Sequence, residues 1–104
     1  MLNYTKDEIV VDDVRTKTDA LERLADELRA RGFQTDLVTP VGKRAYLHVR
    51  NPQAGMLAEN IVSEAGWYWY SWAERIASIH EVVRAAEKIS RVLSATSGER
   101  DPAI

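Results

Sequence analysis

The chain has no cysteine. No disulfide, thiolate metal site or cysteine nucleophile can form, so the fold must stand on packing, as suits a reducing compartment. Histidine is scarce: His48 and His80 are the only two, and they form neither HxxxH nor HExxH spacing, so no metal is expected. Five glycines and three prolines are too few for a collagen-like or low-complexity chain. Charge of one sign is also missing. Fourteen Lys and Arg against sixteen Asp and Glu leave a formal net charge of −2, with no electrostatic drive toward nucleic acid or an anionic membrane. No apolar run approaches the roughly 20 residues that span a bilayer. Met1 to Asp7 lacks the apolar stretch of a secretory signal. Together these absences set the expectation of a cytoplasmic protein without membrane, nucleic-acid or cofactor partners.

What is present is an ordinary globular composition, 45% hydrophobic and 29% charged over 104 residues, which fits one domain. Residues 1–17 form an extension open to two readings. The β-branched run Ile9-Val10-Val11 suits a short strand. Val10, Val14, Lys17, Leu21, Leu24 and Leu28, however, step by heptad spacing with one polar exception, which favours helix. Residues 19–31 read as a helix with apolar stripe Leu21, Leu24, Ala25 and Leu28, Asp19 and Glu22 at capping-box spacing, and Gly32 as its left-handed terminator. Strands follow at 33–38, 44–50, 57–63 and 67–72, joined by Pro40-Val41-Gly42-Lys43, by the loop around Pro52, and by a hairpin at Glu64-Ala65-Gly66. A last helix is expected to start at Ser78, with Glu81 completing a capping box and Ile79, Val82, Val83, Ala86, Ile89 and Leu93 along one face. Residues 95–104 read as a tail.

The expectation is therefore an α+β domain over 18–94, a two-layer αββββα sandwich with an antiparallel four-stranded meander and both helices on one face. If Ala45, Leu47 and Val49 meet the helices, then Arg44, Tyr46, His48 and Arg50 lie on the open face. The chain has eight aromatic residues, and five of them fall between Trp67 and Trp72. Trp67 and Trp69 point one way; Tyr68, Tyr70 and Trp72 point the other. Tyrosine hydroxyls favour a wet end, which puts the two tryptophans inside and the other three outside. Three aromatic rings in a row amount to a patch of about 400–600 Å², the scale of an interface or ligand surface, unless neighbouring strands or the chain ends cover it. The candidate binding residues are thus Tyr46, His48, Tyr68, Tyr70 and Trp72.

No catalytic set accompanies them. There is no GxSxG elbow. Asp12-Asp13 and Asp26-Glu27 are adjacent in sequence and do not face each other on a helix. Gly42-Lys43-Arg44 lacks the upstream glycine and the Ser or Thr of a phosphate loop. Glu74 and Arg75 read as a local ion pair leading into the last helix, and together with Arg50 they are the polar groups of a pocket if one exists. Arg44 to Arg50 sets Tyr46 between basic residues, as base-stacking sheets do, but the glycine, the second aromatic and the element order of that motif are missing.

Arg50-Asn51-Pro52 and Trp67-Tyr68-Trp69-Tyr70-Ser71-Trp72-Ala73-Glu74-Arg75-Ile76 resemble a group of small actinobacterial proteins with no assigned activity, over Leu21 to Leu93. The resemblance implies a cytoplasmic bacterial protein and supplies no catalytic residue. The function expected from the residues is a non-enzymatic interaction module that self-associates through the aromatic sheet face or the extension helix. The alternative is a small-molecule binding protein with an aromatic pocket.

Overall fold

The computed structural model describes residues 2–54 and 57–95, with side chains described from Val14 to Ser94. The element order is α1 (Leu2–Ala30), β1 (Gln34–Val38), β2 (Tyr46–Arg50), β3 (Ala58–Glu64), β4 (Trp67–Tyr70), β5 (Arg75–Ser78) and α2 (Val82–Ala95). All neighbouring strands are antiparallel, in the order β1-β2-β3-β4-β5. The α+β class stands, but the sheet has five strands rather than four.

α1 takes the helical reading of the extension and continues it: one helix runs through the expected boundary at residue 17. It ends where Gly32 is expected to end it. Phe33 N–H donates to Leu28 O at 3.1 Å and Gly32 N–H to Arg29 O at 3.0 Å, the double closure of a Schellman turn, with Gly32 at φ 94°. The β3–β4 hairpin also follows the sequence. Ala65 and Gly66 both have positive φ (54° and 81°), the requirement of a type I′ turn, whose twist matches the flanking strands.

The aromatic segment departs from expectation. β4 stops at Tyr70. Ser71-Trp72-Ala73 then turns the chain, with Ala73 N–H donating to Tyr70 O at 2.9 Å, Tyr70 N–H to Glu74 O at 2.8 Å, and Ala73 at φ 77°. Residues 75–78, expected to lead into the last helix, instead form β5 beside β4, with a register shift between Tyr68 and Trp69. Ser78 ends that strand rather than starting a helix. Its Oγ accepts from His80 N–H at 3.1 Å, and its carbonyl accepts from Glu81 N–H at 2.9 Å. The first helical bond of α2 is Ala85 N–H to Glu81 O at 2.9 Å. The helix therefore starts one turn later than expected, His80 lies in the turn before α2, and Ala85 takes the buried position expected of Val83, which is exposed. The expected tail lies, from residue 96 on, outside the described residues.

The core joins one sheet face to both helices. Leu47, Val49, Ile61, Tyr68, Tyr70 and Ala77 from the strands pack with Ala20, Leu21, Leu24, Ala25 and Leu28 of α1 and Ala85, Ala86, Ile89 and Leu93 of α2. Leu47 and Val49 point inward as expected, and Ala45 packs against the cluster. No described helix is long and apolar enough to cross a membrane.

Candidate functional site: the outer face of the sheet

The register sorts the strand residues into two faces. Leu47 pairs with Ile61 and Ile61 with Tyr70; Ser63 pairs with Tyr68 and Tyr68 with Ala77. Those residues face the helices. The outer face is then Val38, Tyr46, Val62, Trp69 and Arg75 in one row, with Glu64 and Trp67 above it and Asp36, His48 and Asn60 below. Among the described residues, no element lies over this face.

The expected assignment of β4 is reversed. Tyr68 and Tyr70 are buried, at 0% and 4% exposure, and Trp67 and Trp69 are on the outside, half-buried. The reason is steric and polar together. Tyr68 sits between Ser63 and Ala77, two small residues that leave room for a ring. Its hydroxyl donates to Ala20 O at 2.6 Å, so the one polar atom carried inside is satisfied. Burial pushes the Tyr68 phenol up to about 12, with the Arg23 charge opposing. Tyr70 is raised to about 12 as well, first by burial and then by the Glu59 and Glu74 carboxylates, with Arg91 opposing.

The five candidate residues therefore separate. Tyr46 and His48 lie on the outer face, half-buried. His48 Nδ1 is 2.8 Å from Asn60 Oδ1, which puts the proton of a neutral ring on Nδ1. Tyr68 and Tyr70 belong to the core. Trp72 stands on the β4–β5 turn, more than half exposed, stacked on Tyr70 with centroids 4.8 Å apart and planes 3° from parallel, its Nε1 donating to Glu59 Oε1 at 3.0 Å. The polar trio is not brought together either. Arg50 donates to Gln34 Oε1 at the far end of β2. Glu74 contributes its carbonyl to the turn. Arg75 lays its guanidinium over Trp67, 4.2 Å from the ring centroid, and 5.9 Å from that of Trp69. That contact replaces the expected Glu74–Arg75 ion pair.

The side chains missed by sequence reasoning are Val62, Trp67 and Trp69; Arg75, expected as a polar group of a pocket, stands on this face as the partner of the indoles. The usable signal was the pairing of β4 with a strand carrying small residues, which requires β5 to be seen first. The outer face offers an apolar strip, a cation held on an indole and a His–Asn pair. Among the described residues, no group of three or more His, Asp or Glu is placed to hold a metal ion. No protein-family model matches the chain, and neither the curated proteins nor the solved structures give a match.

Proposed function

We propose that the chain is a cytoplasmic, non-enzymatic interaction module that pairs with a second copy of itself through the outer face of the sheet. The observation that carries the reading is the row Val38–Tyr46–Val62–Trp69–Arg75, flanked by Trp67, on a face over which no described element lies. A second copy is favoured by charge. Asp36 is exposed on β1 at one edge, and Arg75 is on β5 at the other. A two-fold axis parallel to the strands sets β1 of one copy over β5 of the other and carries each Asp36 toward an Arg75. Five strands about 4.8 Å apart, of four to seven residues and so about 13–23 Å long, give roughly 400 Å² of plan area per copy. A standard interface takes about 800 Å² per partner, so the dimer is expected to be weak and dependent on concentration.

Light scattering coupled to size exclusion across a wide concentration range tests this. Mass is expected to rise from one chain toward two, and the double variant Tyr46→Ala/Trp69→Ala to stay at one. Asp36→Arg is expected to weaken pairing, and Asp36→Arg/Arg75→Asp to regain part of it. A monomer at every concentration, or pairing indifferent to all three variants, sinks the proposal. Trp72→Ala, on the turn, is expected to leave assembly unchanged.

A further inference from the structure

A cavity of about 340 Å³ lies on the helix side of the sheet, where both helices finish. Arg31 and Phe33, just past α1, line it with Asn51 and Gln53 of the β2–β3 loop and Ser90 and Ser94 of α2. Its volume falls in the ~300–1,000 Å³ range of small-ligand sites. Its wall is held in place by Asn51. Asn51 Nδ2 donates to Leu93 O at 3.1 Å, its Oδ1 accepts from Gln53 N–H at 2.9 Å, and its own N–H donates to Leu57 O at 3.0 Å. The loop is thereby tied to the last turn of α2 and closed on itself.

One polar atom of this wall is left over. Ser90 Oγ is buried and, among the described residues, has no hydrogen-bond partner. A buried hydroxyl is ordinarily paired, as Tyr68 is with Ala20 O, so an open one on a cavity wall points to a ligand atom. A single χ1 step re-aims it without moving the backbone. The charge around it is balanced. Among the described lining residues only Arg31 is ionic, and its guanidinium is 3.4 Å from Glu27 Oε2. Both helices present their C-terminal ends here, where terminal carbonyls set partial negative charge against that cation.

We propose that this cavity binds a small neutral polyol, a monosaccharide or a cyclitol for example. Balanced charge gives neither an anion nor a cation an advantage. Each hydroxyl of a polyol both donates and accepts, which suits a wall of hydroxyl, amide and guanidinium groups. Ser90 Oγ meets one ligand hydroxyl, the exposed Gln53 amide a second, and the Arg31 N–H groups not used by Glu27 a third. Phe33, a member of the core cluster, gives the C–H face of the ligand an apolar floor.

The probes are D-glucose and myo-inositol, each titrated into the full chain while amide resonances are followed, with D-glucose 6-phosphate and cyclohexanol in parallel. Saturable shifts confined to residues 31–33, 51–53 and 90–94 are expected with at least one of the two polyols, weaker ones with the phosphate ester, and none with cyclohexanol. Ser90→Ala and Gln53→Ala are each expected to weaken polyol binding severalfold. Ser90→Ala is also expected to leave the melting temperature of the unliganded chain unchanged or raised, because its hydroxyl has no bond to lose. A lowered melting temperature means that the hydroxyl is paired within the chain, and the proposal fails. Shifts with neither polyol, tighter binding of the phosphate ester, equal binding of cyclohexanol, or affinity untouched by both variants each overturns it as well.

Discussion

Tyr68 and Tyr70 show how a single register decides which side of a strand is core. Both phenols titrate near pH 10 in an unfolded chain and are raised to about 12 in the folded one, chiefly by burial. A raised value means that the folded state holds its protons longer. The stability this represents is whole below pH 10 and is lost as pH climbs through the folded values toward 12. The melting temperature is therefore expected to be insensitive to these groups at neutral pH and to fall above pH 10. In Tyr68→Phe/Tyr70→Phe the fall is expected to be shallower. If wild type and double variant decline in parallel, burial of these two phenols is not the cause. At neutral pH, Tyr68→Phe alone removes the 2.6 Å bond to Ala20 O and is expected to cost about 1 kcal/mol in a denaturant titration. The expectation that a tyrosine hydroxyl seeks water failed here because a helix carbonyl lay within reach. Nothing local to β4 announces that carbonyl.

At the scale of elements, the legible parts were those with local punctuation. The end of α1 was readable because Phe33 after Gly32 completes a Schellman turn, and the β3–β4 hairpin because Gly66 accepts positive φ. The β4–β5 hairpin was not. Its left-handed residue is Ala73, where a glycine or asparagine would have flagged the turn. Ser78 and Glu81 moreover imitate a capping box, so the sequence reads β5 as the connection into the following helix. An L-residue with a Cβ pays for the left-handed conformation, and Ala73→Gly is expected to raise stability by about 1 kcal/mol by relieving it. The reverse change at the neighbouring hairpin isolates the same effect. A Cβ at Gly66 meets nothing within 4 Å, so Gly66→Ala costs only backbone strain, about 1 kcal/mol. Opposite signs for the two variants in one denaturant series check the argument. Equal signs mean that the backbone at these turns does not govern the hairpins.

On the scale of the whole molecule, α1 is longer than the sheet needs. Twenty-nine helical residues extend about 43 Å, whereas the longest strand, of seven, covers about 23 Å. The α1 residues of the core run only from Ala20 to Leu28. One heptad before Leu21 the same stripe reaches Val14, which is 63% exposed. The heptad was legible in the sequence; what was not legible is where the sheet beneath it stops. This geometry supplies a rival pairing surface, since two copies could zip together along the stripe beyond the sheet. The two surfaces separate cleanly in one truncation. Deleting residues 1–13 leaves every described core residue in place, so the melting temperature is expected to change little. If the outer face of the sheet carries pairing, the truncated chain retains the concentration-dependent mass, and Tyr46→Ala/Trp69→Ala abolishes it in both lengths. If the truncation abolishes pairing while the aromatic double variant leaves it intact, the helix is the interface. Val14→Asp then reproduces the loss in the full chain, and the outer-face reading fails.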